Sequence, residues 1–244
     1  MTFADLVGKF IGSGNFVGSL AEQGAREVID ILPPIYLMRY APAPADISSS
    51  APEWKFNPDS GFNSHPGQGG PQTKRILKVL RNDGSQWREC SEVDYASFSQ
   101  AANANSLYEA TENAPVFNID SNLGYPILKI KPAISGSADG ADSGKAIYVP
   151  YPNFTSDVPS DVPGDYIDPY SETDVYYLLE GLGFSRDAAN VMALKAAIYI
   201  TQNLISDAVQ DDEDNELLAM LNAQQASLNA QYEMDMKRLN DIWN

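Results

Sequence analysis

The chain of 244 residues contains one cysteine, one histidine and few basic residues, and each shortage excludes a class of protein. A single cysteine excludes an internal disulfide framework and a cysteine-based zinc cluster. Lysine and arginine number 16 against 33 aspartates and glutamates, which gives a formal net charge of −17. Sequence-independent affinity for nucleic acids comes from basic side chains that neutralise phosphates, so this charge argues against such a binder.

Long apolar runs are missing as well. No window approaches the ~18 uninterrupted apolar residues of a membrane-spanning helix, and the first residues lack the basic start, apolar run and cleavage site of a secretory signal. Hydrophobic residues nevertheless make up 43% of the chain, which is too many for a disordered protein. We therefore expect a soluble, acidic protein that is made inside the cell. Composition alone assigns it no function.

Residues 1–40 are predicted to be helical. Apolar residues at steps of three and four predict a first helix near the N-terminus. Ser19 and Glu22 have the spacing of a capping box and predict the start of a second helix. Pro33 and Pro34 end it, although Pro34 could equally begin a short continuation.

Residues 171–244 are also predicted to be helical. A short helix is expected to end at Gly183, and a longer one to run from about Asp187 to Val209. The last helix is expected over residues 213–243, which would extend ~46 Å at about 1.5 Å per residue.

Residues 74–151 are predicted to form a small antiparallel β-domain. Alternating apolar residues predict five strands, at 74–81, 86–90, 115–120, 126–131 and 145–151. Asn82-Asp83-Gly84 joins the first two strands and is a strong hairpin signal, because these residue types tolerate positive φ.

Between the N-terminal helices and the strands lies a segment rich in proline, glycine and serine, residues 41–73. A connection of this length without secondary structure is usually a functional arm or a linker. We interpret it as an extended arm that lies on a neighbouring subunit through Trp54, Phe56 and Phe62. A second linker is expected at 152–170. The predicted fold class is therefore α+β, with a terminal helical bundle, a central β-domain and an arm.

No pattern of catalytic residues stands out. His65 lacks a recognisable nucleophile or carboxylate partner, and Cys90 in a predicted strand is expected to behave as a small hydrophobe. Gly12, Gly14 and Gly18 place the third glycine one position late for a dinucleotide-binding loop, so a linker is the better interpretation. No catalytic activity and no cofactor are predicted.

The sequence has weak signals for three kinds of binding: to a metal ion, to ubiquitin and to a membrane. Five aspartates could offer oxygen ligands to a divalent cation, although their spacing does not match an EF-hand: Asp139, Asp142, Asp211, Asp212 and Asp214. Residues 179–189, LEGLGFSRDAA, resemble a loop of ubiquitin-associated domains, but the helix that follows is too long. The last helix has an acidic and amide-rich polar face, the wrong sign for anionic lipids.

Three stretches resemble head-to-tail adaptor (connector, or neck) proteins of tailed bacteriophages. The first is AREVIDILPPIYL at 25–37, similar to an opening helix that ends at a proline pair. The second is APVFNIDSNLGYPILKIKP at 114–132, followed by GKAIYVPYP, similar to a hairpin and a return strand. The third spans 193–239 and is similar to a terminal helix pair with an acidic turn.

The resemblance implies a homo-oligomeric ring, a dodecamer, beneath the portal protein of a virion and in contact with tail or nozzle proteins. DNA would pass through the ring without specific binding, since a negative lumen repels it. The resemblance implies no catalytic site and no membrane. Trp54, Phe56, Phe62, Leu239 and Trp243 are the candidate assembly residues. Shorter adaptors differ from this chain in the arm at 41–73. The protein could therefore belong to a different ring of the same neck.

Other functions remain open at this stage. The chain could be another tail component, for fibre attachment or in the baseplate, or a host-directed binding module. Twelve-fold rings in images of the protein would favour the neck, and trimers would favour a fibre-associated part. Absence of this protein from purified virions would favour the host-directed binding module.

Overall fold

The computed structural model describes residues 3–12, 15, 17–47, 53–55, 74–103, 105–107, 109–120, 127–137, 140–152, 185–210 and 215–241. These residues form a mixed α+β fold with a long C-terminal helix pair, as predicted. The chain divides into two compact units. Met1–Tyr40 and Tyr151–Asn244 together form the helical unit, and Ala41–Pro150 forms the β unit.

Six α-helices are described, five in the helical unit and α4 in the β unit. Their bounds are α1 Phe3–Ile11, α2 Gly18–Ile31, α3 Pro34–Leu37, α4 Tyr95–Gln100, α5 Arg186–Gln210 and α6 Asn215–Asp241. A 3₁₀ turn, Met38–Tyr40, extends α3. No helix in the described part of the chain is long and apolar enough to cross a membrane.

The proline pair shapes the end of the N-terminal helices as predicted. Leu32 has extended backbone angles, φ −61° and ψ 140°, because the residue before a proline avoids the helical region. Pro34 then occupies the first turn of α3, which confirms the short continuation. The predicted capping box is wrong. The N-cap of α2 is Val17, and no side chain caps it.

Helix α5 is the centre of the helical unit. It packs against α1, α2 and α6, and 12 of its 25 residues are buried. Many of these are alanines, including Ala193, Ala196 and Ala197 at 0% exposure. Small side chains let neighbouring backbones approach closely, and the α2 glycine Gly24 faces the backbone of Ala196. The two ends of the sequence therefore form one core.

The β unit contains eight described strands in two four-stranded sheets. The strands are β1 Ala45–Ile47, β2 Glu53–Lys55, β3 Lys74–Asn82, β4 Trp87–Glu89, β5 Ser91–Glu92, β6 Val116–Asp120, β7 Ile127–Lys131 and β8 Gly144–Pro150. The strand orders are β1-β8-β3-β4 and β2-β7-β6-β5. All pairs are antiparallel except β5 with β6.

Both predicted hairpins form. The first joins β3 to β4 through a turn in which Gly84 has φ +95°. The Asp83 carboxylate accepts hydrogen bonds from the backbone N–H groups of Ser85 and Gln86, each at 2.8 Å, and binds Arg88 at 2.6 Å. A hydrogen bond from the Ser85 hydroxyl at 2.7 Å is the largest cause that holds the pKa of Asp83 well below its usual range, and the backbone bonds and Arg88 add to it. The second hairpin pairs β6 with β7.

The predicted arm contributes to the β unit itself, which the sequence analysis did not foresee. Strand β1 pairs with β8, and β2 pairs with β7. Ile47 is 0% exposed and belongs to the β-unit core together with Val79 and Leu128. The expectation of an arm that lies wholly on a neighbour is therefore corrected for residues 45–47 and 53–55, whose backbones complete their own subunit's sheets. The short helix ending at Gly183 lies outside the described residues.

Candidate assembly surface

A polar cluster joins the three main helices of the helical unit. Lys195 on α5 forms an ion pair with Glu27 on α2 at 2.9 Å, and the Tyr199 hydroxyl donates a hydrogen bond to the same carboxylate. The Lys195 ammonium also lies 5.1 Å from the ring centroids of both Tyr199 and Tyr232, the latter on α6. One cation thus contacts side chains from all three helices and fixes their relative register.

The cluster lowers the pKa of its carboxyl group, Glu27, and raises that of its phenols, Tyr199 and Tyr232. Burial raises the pKa of Glu27, but the Tyr199 hydrogen bond and the Lys195 charge outweigh burial and lower it overall. Burial and the bond to Glu27 raise the pKa of Tyr199 to about 12. The carboxylate is therefore ionised and the phenol protonated at neutral pH.

Hydrogen bonds also tie α3 to the start of α5. The hydroxyls of Tyr36 and Ser185 lie 2.8 Å apart. Ser185 in turn accepts a hydrogen bond from the backbone N–H of Ala188 at 3.2 Å, which caps α5. Tyr36 is 2% exposed, and burial raises its pKa. The bend between α2 and α3 is therefore held at the N-terminal end of α5.

This bend carries a patch of exposed apolar side chains. Ile31 is 51% exposed, Ile35 68% and Met38 40%. Ile35 and Met38 are three residues apart on a helical turn and therefore project from the same side. We call Ile31, Ile35 and Met38 the elbow patch. A contact with another molecule at this bend would bury all three side chains.

The opposite end of α5 borders a groove of about 360 Å³ between α1, α5 and α6. Its lining is mainly aliphatic, and it consists of Ile11, Asn15, Leu204, Asp207, Ala208, Leu217, Met220, Leu221 and Gln224. The Gln224 side chain donates a hydrogen bond to the Phe10 carbonyl at 2.8 Å, which fixes α6 against α1. Met220 is 59% exposed at the groove. We call this site the α1/α5/α6 groove.

Two of the five candidate assembly residues from the sequence, Trp54 and Leu239, lie in the described part of the chain. Trp54 lies in β2, where its backbone pairs with Leu128 of β7. Leu239 lies in the helical unit and is 3% exposed, beside Val191 of α5. Phe56, Phe62 and Trp243 lie outside the described residues. The assembly roles of all five stay predictions, and the burial of Leu239 gives its side chain a place in the subunit's own core.

The residues weighed for chemistry have structural partners where they are described. Cys90 is 4% exposed in the β-unit core, and burial raises the pKa of its thiol to about 12. Asp142 forms an ion pair with buried Arg81 at 2.8 Å and accepts a hydrogen bond from Ser135 at 2.9 Å. His65 and the other four aspartates lie outside the described residues. Among the residues described, no group of three or more possible ligands surrounds a metal position.

The elbow patch and the groove were not predicted from the sequence. The available signal was that Ile31 and Ile35 lie on either side of the proline pair, where the helix must end. Recognising the groove required knowing that the N-terminal helix packs beside the last helix pair, which local periodicity does not encode.

Comparisons with protein-family models, with curated proteins and with solved structures return no match to this chain.

Proposed function

We propose that this protein is a structural subunit of a tailed-phage virion, an adaptor in the ring that joins the portal to the tail. The supporting observation is architectural. Both ends of the chain meet in one helical unit with helices of 25 and 27 residues, and a separate β unit is inserted between them. The resembling adaptors are helical bundles with a β-domain and arms. No catalytic role is assigned.

The charge of the chain suits a DNA conduit. At −17 per subunit, many copies around a channel would repel the phosphate backbone and let DNA slide. Counterion release, which drives non-specific DNA binding, would be absent because few basic groups are offered.

Immunolabelling of particles tests the location. Antibodies raised against the purified protein are applied to tailed particles produced by the organism that carries the gene, and the particles are imaged by electron microscopy. Label at the head–tail junction is expected. Label at the tail tip or fibres would favour the alternative tail component, and particles without label would contradict any virion role.

The same charge predicts how the ring assembles. We expect the isolated protein at low salt to be monomeric or only weakly associated, because copies at −17 repel one another. Added salt should promote association, since the screening length falls from ~30 Å at about 0.01 M to ~3 Å at about 1 M. Light scattering at both salt concentrations measures this, and stable dodecamers at low salt would contradict it.

A further inference from the structure

The turn between β3 and β4 contains an Asp-Gly step, formed by Asp83 and Gly84. Among aspartyl dipeptides, Asp-Gly is the most prone to spontaneous isomerisation, because glycine has no side chain to shield its backbone nitrogen. That nitrogen attacks the carboxyl carbon of the aspartate, a C–N bond forms, the nitrogen loses its proton, and one carboxyl oxygen leaves as water. The cyclic succinimide then takes up water and reopens, either to aspartate or to isoaspartate.

Both oxygens of the Asp83 carboxylate are occupied by hydrogen bonds. Oδ1 accepts bonds from the backbone N–H groups of Ser85 and Gln86, each at 2.8 Å, and from the Ser85 hydroxyl at 2.7 Å. Oδ2 accepts a bond from Arg88 Nε at 2.6 Å. Bonds of this kind favour the charged carboxylate. An oxygen that leaves as water must take up protons and give up these bonds, so they oppose ring closure.

The attacking nitrogen is occupied as well. The backbone N–H of Gly84 donates a hydrogen bond to Asn82 Oδ1 at 3.0 Å, and loss of its proton would break that bond. Asn82 is itself held in place. Its side-chain amide donates to the Gly140 carbonyl at 3.1 Å, and its backbone N–H donates to the Ser143 carbonyl at 2.9 Å. The loop before β8 therefore fixes the group that binds the nitrogen.

Ionisation adds to this protection. The Ser85 hydroxyl, the backbone hydrogen bonds and Arg88 hold the pKa of Asp83 well below its usual range. Ring closure proceeds through the neutral carboxyl group, because a carboxylate oxygen is a poor leaving group. The folded turn therefore contains less of the reactive form at neutral pH than an unfolded chain does.

We infer that Asp83-Gly84 is a latent isomerisation site, which the hydrogen bonds of the folded turn keep closed and which reacts when the turn opens. Gly84 and Ser85 are exposed, so exclusion of water does not supply the protection. Isoaspartate at residue 83 would lengthen the backbone of the turn by one methylene group. Because loop length sets the register of a hairpin, the pairing of Arg81 with Arg88 would be displaced. The modification would mark copies that have opened, whatever their place in a virion.

Incubation in heavy-oxygen water measures each ring closure and reopening, because the water taken up leaves a heavy oxygen at residue 83. The full chain is incubated at neutral pH, either folded or unfolded in urea, and is then digested with trypsin. Cleavage after Arg81 and Arg88 releases the peptide 82–88, whereas the chain's second Asp-Gly step lies in the peptide 130–145. Uptake at residue 83 is expected in the unfolded chain. It should be at least about tenfold slower in the folded chain, the factor that one hydrogen bond to a charged group contributes. Equal uptake in the two preparations would overturn the assignment.

Ser85→Ala separates the effect of these bonds from a general effect of folding. Removal of the hydroxyl that binds Asp83 should make uptake by the folded chain about tenfold faster. Ser97→Ala is the matched control, because the Ser97 hydroxyl binds a different aspartate of the same unit, Asp94, at 2.9 Å. Melting curves followed by circular dichroism check that both variants fold. An unchanged rate in Ser85→Ala, or the same acceleration in both variants, would contradict protection by the bonds to Asp83.

Discussion

Replacing Gly24 by alanine tests the close crossing of α2 and α5. Gly24 is buried in the middle of α2. A Cβ atom at this position would lie 2.6 Å from the backbone N of Ala196, 2.8 Å from its Cα and 3.0 Å from the carbonyl carbon of Lys195. Ordinary van der Waals contact needs 3.4–4 Å. The two helices would therefore have to separate by about 1 Å.

Two opposing effects decide the size of the change. Alanine is favoured over glycine inside a helix by about 1 kcal/mol. Overpacking a filled core costs ~1–3 kcal/mol, and the upper end applies here because backbone atoms cannot rotate away. A gap of about 1 Å also forfeits a quarter to a half of each dispersion contact across the interface. We expect a net loss of ~2 kcal/mol in the free energy of unfolding.

Urea denaturation followed by ellipticity at ~222 nm measures this loss, because the long helices of the helical unit dominate that signal. A loss of ~2 kcal/mol corresponds to a melting temperature lower by about 4–8 °C in a protein of this size. Gln23→Ala is the control on the same helix. Gln23 is exposed, and its replacement should change stability by less than about 0.5 kcal/mol.

A double variant distinguishes the backbone clash from a side-chain clash. The obstructing atoms belong to the backbone, so Ala196→Gly should fail to rescue Gly24→Ala. If Gly24→Ala raised stability by about 1 kcal/mol, as helix propensity alone predicts, the proposed close crossing of α2 and α5 would be refuted.

Three further predictions follow from burial and charge. Leu221→Ala and Leu239→Ala should each lower the free energy of unfolding by ~2–5 kcal/mol, because both side chains are buried in the helical unit; unchanged melting of Leu239→Ala with reduced particle incorporation would instead favour its interface role. Glu27 has a lowered pKa in the folded state, so it contributes stability above its unfolded pKa that is lost as the pH falls through the folded value. Glu27→Gln should remove that acid-dependent part of a stability–pH curve, and an unchanged curve would contradict it. Ile47→Ala should destabilise the β unit by ~2–5 kcal/mol, monitored by Trp87 fluorescence, and no change would contradict the place of β1 in its core.

Local sequence signals determined most of the individual elements. Apolar periodicity located α1, α5 and α6, because one stripe of each helix must be buried. The turn at Asn82-Asp83-Gly84 located the first hairpin, since Gly84 adopts the positive φ that glycine tolerates. Pro34 located the start of α3, where its fixed φ suits the first turn of a helix and its missing N–H costs nothing.

Short strands and helix starts were decided by tertiary contacts. Strands β1 and β2 have three residues each and lie in a segment rich in proline and serine, so their extended form depends on pairing with β8 and β7. Helix α2 begins at Gly18, one residue before the predicted capping residue Ser19. One cap contributes only about 1 kcal/mol, and α2 also packs along α5.

The candidate surfaces depend on which parts of the chain meet. Composition and local patterns alone predicted an acidic, mixed α+β protein with a long C-terminal helix pair. Only the tertiary structure brought α1 beside α6 to form a groove, placed Glu27 against Lys195, and buried Leu239 while leaving Ile35 exposed. Periodicity shows which face of a helix is apolar. Whether a residue on that face is buried depends on the elements that pack against it, and these are distant in sequence.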